Sequence, residues 1–111
     1  MKITFRAKGI KLTPQLEDYT REKISKLEKY LGEVIEAWVE LIKDRSQRSG
    51  KKFQAEVQIK LPKGSLRADE TTTDIFAAID LVLPKLKKEI ERYKDRKKLP
   101  RRKRGIKGLR E

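Results

Sequence analysis

The chain has 111 residues, of which 30 are lysine or arginine and 17 are aspartate or glutamate, for a net charge of +13. This length fits a single domain, and the absence of cysteine and histidine excludes disulfides, thiolate nucleophiles, the commonest zinc ligands and the commonest general base. We therefore expect no enzyme, no cofactor and no metal site. Residues 85–111 hold 14 basic and 4 acidic residues, which is typical of a protein that binds a polyanion through one surface.

The first predicted elements are a strand and a helix. Residues 2–8 alternate apolar and polar side chains, which predicts a half-buried strand punctuated by Gly9. Thr13 stands where a helix N-cap is expected, and Pro14 occupies the first helical position. The apolar spacing of the helix continues as far as Gly32, a residue type that commonly ends helices.

Three further strands are predicted next. Residues 34–43 and 53–61 alternate, and the polar segment 44–51 between them predicts a hairpin loop. A turn at 62–64 leads to a short fourth strand over 65–71. Each strand has one apolar face, as in an antiparallel sheet that is covered on one side. The inward positions are predicted to be Ile35, Ala37, Val39, Leu41, Phe53, Ala55, Val57, Ile59, Leu61, Leu66 and Ala68.

The last predicted element is a long amphipathic helix over residues 73–98. Its apolar residues fall within roughly 40° of one direction around the helix axis, and capping by Thr72, Thr73 or Asp74 is expected. Pro84 removes one backbone hydrogen bond from the interior, so we expect a single helix that kinks there. Basic residues occupy both flanks of the apolar stripe, with Lys85, Lys88, Arg92 and Arg96 on one side and Lys87, Lys94 and Lys98 on the other.

The element order β-α-β-β-β-α predicts a two-layer α+β domain over residues 1–98. The first two strands should be parallel neighbours joined by a right-handed crossover, and two hairpins should extend the sheet in antiparallel fashion. We expect both helices on the single apolar face of the four-stranded sheet, an architecture similar to the double-stranded-RNA-binding domain. Residues 99–111 are predicted to form a basic flexible tail. Its candidate RNA contacts are Arg101, Arg102, Lys103 and Arg104.

The basic helix is the strongest functional feature of the sequence. A helix of about 24 residues is about 36 Å long, enough to place a row of cations along several phosphates. Such binding is electrostatic and depends steeply on salt. Tyr19, Tyr30 and Tyr93 fall in apolar helical phase and are expected in the core, so few aromatic side chains remain to stack on single-stranded bases. The pattern favours recognition of RNA backbone and shape over base sequence.

Other candidate sites carry weaker signals. Trp38 is out of phase with the inward residues of its strand, so we expect it to shield the open face of the sheet, with a partner contact as the alternative. Asp69, Glu70 and Asp74 form the only local acidic cluster that could bind a hard metal, although turn and capping roles explain them more simply. The basic tail could also be a nuclear address or a membrane-surface patch, but it lacks an adjacent apolar face.

A nuclease is the third class that the sequence allows. Glu56 and Lys60 share one face of a predicted strand, as an acid and a lysine do in some nuclease sites, but no second acidic ligand is fixed nearby. A metal-dependent nuclease would cleave RNA with magnesium and would lose that activity on Asp69→Ala or Glu70→Ala. The absence of a defined ligand set makes this class the least favoured.

Two segments resemble the ribosome hibernation promoting factor and ribosome-associated inhibitor family. They are GIKLTPQLEDYTREKISKLEKY at residues 9–30 and LRADETTTDIFAAIDLVLPKLKKEIERYKDR at residues 66–96. The order and spacing are those of the family, and the resemblance covers residues 1 to about 98. Its most specific pieces are Thr13 with Leu16 and Tyr19, the run Lys23-x-x-Lys26-Leu27-Glu28-x-Tyr30, and Ala77-Ala78-Ile79-Asp80 followed by Lys85-Leu86.

The resemblance implies a function on the ribosome. Family members bind the small subunit between head and body, contact 16S ribosomal RNA and overlap the places of messenger RNA and of the A- and P-site transfer RNAs. Ribosomes are thereby silenced and stored in stationary phase or stress. We accordingly expect the ribosome as partner, no small-molecule substrate, no membrane, a cytoplasmic location and a monomer when free. The residues that match the family's basic positions are Lys23, Lys26, Lys85, Lys88, Arg92, Lys94 and Arg96.

The sequence departs from the family pattern in two respects. Pro84 stands where the second helix of the family usually runs straight. The long members carry a second domain that pairs ribosomes into dimers, and the sequence offers no counterpart, so we expect the short form. Whether the protein promotes or opposes ribosome pairing is left open. The competing class is a general RNA-binding module that recognises RNA by shape and does not need an assembled ribosomal subunit.

Overall fold

A computed structural model describes residues 2–31, 34–44 and 52–102, with side chains described for all of these except residues 30–31 and 96–102. The chain folds as β-α-β-β-β-α, in the predicted order. The elements are β1 (Lys2–Lys8), α1 (Pro14–Leu31), β2 (Glu36–Lys43), β3 (Phe53–Leu61), β4 (Gly64–Thr72) and α2 (Ile75–Arg102).

The four strands form one sheet in the order β1-β2-β3-β4. β1 pairs with β2 in parallel, from Lys2 opposite Glu36 to Lys8 opposite Ile42. β2 with β3 and β3 with β4 pair in antiparallel fashion. The predicted mixed sheet is confirmed, and β1 and β4 are its two edges.

The core lies between one face of the sheet and the two helices. Alternate residues of β2, β3 and β4 are buried against apolar residues of α1 and α2 in one continuous cluster, so both helices cover the same face. The two-layer α+β prediction is confirmed. The buried apolar residues are Leu16, Ile24, Leu27, Ala37, Val39, Leu41, Ala55, Val57, Ile59, Leu61, Leu66, Ala68, Ile75, Ala78, Ile79, Val82, Leu86 and Ile90.

One predicted inward residue lies outside. Ile35 keeps the phase of Ala37 and Val39 but is 50% exposed. It precedes β2 and the first pair of the parallel ladder, so no residue of β1 stands opposite to it. Its amide still donates to the Lys60 carbonyl oxygen at 2.9 Å. Hydrogen bonding to β3 therefore begins at Ile35, whereas burial of the inward face begins only at Ala37.

The start of α1 follows the predicted capping pattern. The Thr13 hydroxyl oxygen accepts a hydrogen bond from the Leu16 amide at 3.2 Å, which satisfies one free donor of the first turn. Pro14 is the first helical residue, where its missing N–H is not needed. Thr20 is fully buried, and its hydroxyl donates to the Leu16 carbonyl oxygen at 2.8 Å, so this polar side chain is satisfied within its own helix.

α2 is one continuous helix that includes Pro84, as expected from the unbroken apolar spacing around it, and the kink expected at Pro84 stays a prediction. Asp74 caps it, because its carboxylate accepts a 3.2 Å hydrogen bond from the Ala77 amide. The helix continues to Arg102, past the predicted end at residue 98. The predicted tail beyond residue 102 lies outside the described residues.

Candidate nucleic-acid interface

Cations on α2 lie on two sides of the helix. We define the β4 flank as Lys85, Lys88 and Arg92, which fall within roughly 60° of one another around the helix axis. This flank borders an open cleft between α2 and β4 of about 320 Å³, whose lining also includes Asp69 and Glu89. The cleft places several positive charges next to the edge of the sheet.

The three cations of the β4 flank differ in their partners. Lys85 Nζ lies 3.1 Å from a Glu70 carboxylate oxygen and donates to the Asp69 carbonyl oxygen at 3.0 Å. Arg92 pairs with Glu89 at 2.8 Å, yet 70% of the arginine side chain stays exposed. Lys88 is exposed, and no carboxylate lies within ion-pair distance of it among the described residues. Because an exposed ion pair is worth little, Lys88 and Arg92 remain available to an incoming anion.

The opposite side of α2 faces α1. The Tyr19 ring meets the Phe76 ring edge-on at 5.1 Å between centroids, and the Tyr19 hydroxyl donates a 2.5 Å hydrogen bond to Asp80. Lys94 lies eighteen residues beyond Phe76, which is about five helical turns and returns to the same side. Lys94 is half-buried. We define the α1 flank as Lys94 on this side of α2 together with Lys23 and Lys26 on the facing side of α1.

Two lysines of α1 lie on its side towards α2. Lys23 and Lys26 fall within roughly 60° of Tyr19 around the α1 axis. The Lys23 ammonium lies over the Tyr19 ring, 5.2 Å from its centroid, and Lys26 is exposed. The hydrogen bond of Tyr19 to Asp80 raises the pKa of the tyrosine hydroxyl to about 12, with smaller contributions from burial and nearby carboxylates. The phenol therefore stays protonated as a donor at all physiological pH values.

The predicted cations therefore do not form a single row. Lys85, Lys88 and Arg92 share the β4 flank, whereas Lys94 belongs to the α1 flank together with Lys23 and Lys26 of α1. The backbone of Arg96, Arg101 and Arg102 is helical, but their side chains lie outside the described part. Lys103 and Arg104 lie outside the described residues altogether.

The alternative acidic site has no support in the geometry. Asp74 caps α2 and Glu70 pairs with Lys85, which agrees with the turn and capping roles expected for this cluster. Over residues 2–31, 34–44 and 52–102, no group of three acidic, histidine or cysteine side chains could hold a metal ion. Glu56 is paired with Arg67 at 2.7 Å, and Lys60 is exposed.

The open face of the sheet carries Trp38, as the sequence predicts. Trp38, together with Phe5 and Val39, forms the apolar part of the lining of a shallow depression of about 590 Å³. Its polar lining consists of Thr4, Arg6, Glu40, Glu56 and Gln58. In the described part of the chain, no helix is both long enough and apolar enough to cross a bilayer.

Sequence reasoning missed the attachment of Lys85 to β4 and the pairing of Arg67 with Glu56. Both depend on which strand residue lies beside which helix or strand neighbour, and residue spacing does not report that. Alternation does place Arg67 and Glu56 on the open face, since Leu66, Ala68, Ala55 and Val57 are inward. That signal could have suggested their contact.

Comparison with known proteins identifies relatives of this chain. The sequence matches the family described as Sigma 54 modulation protein / S30EA ribosomal protein over residues 3–98. The Ribosome hibernation promotion factor of Staphylococcus aureus is 35% identical over 97 residues, covering 87% of this chain and 50% of that protein. The factor of the same name from Lactococcus lactis is 32% identical over 98 residues, covering 86% and 51%. The chain thus spans about half the length of these curated relatives.

Solved structures share the fold. The N-terminal domain of Thermus thermophilus Protein Y superposes with a TM-score of 0.70 at 30% identity, covering 84% of this chain and 99% of that domain. A ribosomal subunit interface protein from Coxiella burnetii superposes with a TM-score of 0.74 at 21% identity, covering 86% and 99%. The second likeness concerns the fold alone.

Proposed function

The chain belongs to the Sigma 54 modulation protein / S30EA ribosomal protein family, and from this premise we propose that it is a ribosome-binding hibernation factor. The partner is the small ribosomal subunit with its 16S RNA. The protein docks in the path of messenger and transfer RNA, and it silences or stores cytoplasmic ribosomes under stress or in stationary phase. The names of the relatives from Staphylococcus and Lactococcus support this proposal.

The observation that carries the proposal is the exposed pair of Lys88 and Arg92 on the β4 flank. The two side chains are four residues apart, so they lie about 6 Å apart along the helix axis. That distance is close to the spacing of successive phosphates in a nucleic-acid strand. Each phosphate that they neutralise releases counterions, which drives association without any base contact.

The α1 flank supplies a second set of cations. Lys23, Lys26 and Lys94 lie around the junction of the two helices, on the other side of α2 from Lys88 and Arg92. A helix with cations on both flanks can contact two lengths of RNA backbone at once, as a folded RNA surface presents them. Arg96, whose side chain lies outside the described part, follows Arg92 by one helical turn in sequence. Inhibition then needs no chemistry, since a folded domain of 51 × 30 × 18 Å excludes an RNA strand from the space that it occupies.

The proposal is tested by co-sedimentation with purified 30S and 70S particles at several salt concentrations, with naked ribosomal RNA as competitor. We expect retention near one copy per small subunit that survives excess naked RNA, and we expect transfer RNA to compete. Binding that scales with any RNA and disappears at moderate salt would instead favour the general shape-selective RNA-binding module. No retention on any particle would overturn both.

A charge reversal locates the binding surface. The double substitution Lys88→Glu with Arg92→Glu should leave the fold intact, because both side chains are exposed, and should abolish retention on ribosomes. The matched control is Lys2→Glu with Lys8→Glu, which makes the same change in net charge on β1, at the other edge of the sheet. Equal loss in both variants would mean that net charge alone controls binding and that the β4 flank has no special role.

A further inference from the structure

Lys85 stands apart from the other cations of α2 because it is attached to the sheet. Its ammonium group reaches both the Glu70 carboxylate, at 3.1 Å, and the Asp69 carbonyl oxygen, at 3.0 Å. A lysine ammonium has three donors, and two of them are directed at β4. The two contacts come from residues 15 and 16 positions away in the chain, so they join the helix to a distant element. The Lys85 side chain is 52% exposed, so the ion pair contributes little by itself and the hydrogen bond to the Asp69 carbonyl adds to it.

The strand that Lys85 contacts is the edge of the sheet. β4 has a neighbour only on the β3 side, and an edge strand leaves alternate backbone groups without a ladder partner. The Asp69 carbonyl is one such acceptor that a side chain of α2 reaches. Lys85 therefore both anchors the helix and occupies a backbone acceptor that could otherwise pair with another chain.

Lys85 directly follows Pro84, where the helix lacks one backbone hydrogen bond. Pro84 has no N–H, so the Asp80 carbonyl lacks the hydrogen bond that residue i+4 would donate. Asp80 is itself held by the Tyr19 hydroxyl at 2.5 Å. Two contacts thus brace α2 on either side of Pro84: Asp80 to α1 before it, and Lys85 to β4 after it. The half of α2 that carries Lys88 and Arg92 begins directly beyond the second brace.

We infer that Lys85 is a positioning residue, which sets the bearing of α2 beyond Pro84 through Glu70 and the Asp69 carbonyl, and not an RNA ligand. RNA contact on the β4 flank then belongs to Lys88 and Arg92. The sequence-based prediction placed Lys85 among the RNA contacts, whereas its two contacts with β4 give it a structural role. The consequence for binding rests on the proposed function, whereas the consequence for the helix bearing does not.

The salt dependence of binding to purified 30S subunits separates the two roles. Lys85→Met should weaken binding roughly five- to tenfold at every salt concentration, because several phosphate contacts shift together, with an unchanged log–log salt slope. Lys88→Met, the matched control, should reduce the slope by about 0.7 to 0.9, as expected for one lost phosphate contact. A slope that falls equally for Lys85→Met would overturn the inference.

The two possible roles of Lys85 predict opposite effects of Glu70→Gln on binding to 30S subunits. It keeps the Lys85 cation but removes its charged partner. If Lys85 positions the helix, Glu70→Gln should weaken binding in the same direction as Lys85→Met. If Lys85 is an RNA ligand, releasing it from Glu70 should tighten binding and steepen the salt slope, and that result would overturn the inference.

The helix bearing is measured without the ribosome. Residual dipolar couplings of amides 75–83 and 86–95 give the orientation of the two halves of α2 in the full chain. Lys85→Met should change that orientation, and adding Pro84→Ala should restore it. The alanine N–H can donate to the Asp80 carbonyl oxygen, which holds the helix straight without the contacts of Lys85. An unchanged bearing in Lys85→Met would overturn the inference. If the wild-type chain fails to bind 30S subunits, the proposed function fails while these couplings still decide the role of Lys85.

Discussion

The Tyr19 hydroxyl donates a 2.5 Å hydrogen bond to the carboxylate of Asp80, which lies 61 positions further along the chain. The same tyrosine ring meets Phe76 and lies under the Lys23 ammonium. One side chain thus sets the relation between α1 and α2 and also orients a lysine of the candidate interface. The Thr13–Leu16–Tyr19 and Ala77–Asp80 segments, which carry the family resemblance, therefore meet in space at the joint between the two helices.

Removing the Tyr19 hydroxyl should weaken this joint without disturbing the core. Tyr19→Phe keeps the ring against Phe76 and deletes the donor to Asp80, so we expect the free energy of unfolding to fall by about 1 kcal/mol. Urea unfolding followed by circular dichroism measures the change. Asp80→Asn is the comparison variant, because its amide oxygen still accepts a hydrogen bond and its loss should be smaller. A Tyr19→Phe protein as stable as the wild type would mean that water replaces the bond at no cost.

The same hydrogen bond predicts a pH dependence at the alkaline end. The folded state raises the pKa of Tyr19 from 10.0 to about 12, so the unfolded chain loses the phenol proton first. The stabilisation from this group is therefore complete below pH 10 and is lost as the pH rises towards 12. We expect the stability difference between wild type and Tyr19→Phe to stay constant up to pH 10 and to shrink above it. A difference that persists unchanged to pH 12 would contradict the assignment.

Sequence patterns predicted the sheet well because burial follows alternation. Of the five inward positions predicted for β3, the four from Ala55 to Leu61 are buried and Phe53 is half-buried. The same rule failed at Ile35, since alternation reports the face of a strand and not whether the sheet and helices extend over that position. Thr20 is buried in helical phase with Leu16 and Ile24, and that phase was available in the sequence.

The candidate interface was predicted less completely. The helical period correctly separates the two flanks of α2, but it does not say what each flank faces. Only the packing of α2 across β4 shows that Lys85 meets Glu70, while no carboxylate lies within ion-pair distance of Lys88 among the described residues. Such contacts depend on the offset between a helix and a strand joined by a short turn. That offset is set by the whole core, which no local spacing encodes.

Gly9 should tolerate no side chain. Its φ is +73°, and a Cβ atom there would lie 2.4 Å from the Lys43 carbonyl oxygen. Left-handed backbone costs an alanine about 1–2 kcal/mol, and the close approach adds to it. We therefore expect Gly9→Ala to lower the free energy of unfolding by more than 2 kcal/mol, about the upper end of that range. Asn tolerates the left-handed conformation better, so a Gly9→Asn protein near wild-type stability would show that the Lys43 contact is unimportant.

Substitutions of Lys23 and Lys26 should affect ribosome binding alike but protein stability differently. Lys26→Gln should lower the salt slope of 30S binding by about 0.7 to 0.9 and change stability by no more than about 0.5 kcal/mol, because the side chain is exposed. Lys23→Gln should lower the slope similarly but also cost about 0.5–1 kcal/mol of stability through its lost contact with the Tyr19 ring. Unchanged slopes for both would remove α1 from the interface.

The cations at the C-terminal end provide the last test. Arg101 and Arg102 end α2, and Lys103 and Arg104 follow in sequence. Exchanging all four for Gln should leave the unfolding midpoint unchanged, because the buried apolar residues among the described side chains end at Ile90. If all four side chains contact the ribosome, as we predict, the salt slope should fall by about 2.8 to 3.6, four times the 0.7 to 0.9 expected for one lost phosphate contact. A slope equal to that of the wild type would confine binding to the helices between Lys23 and Arg96, since an uncontacted cation releases no counterions.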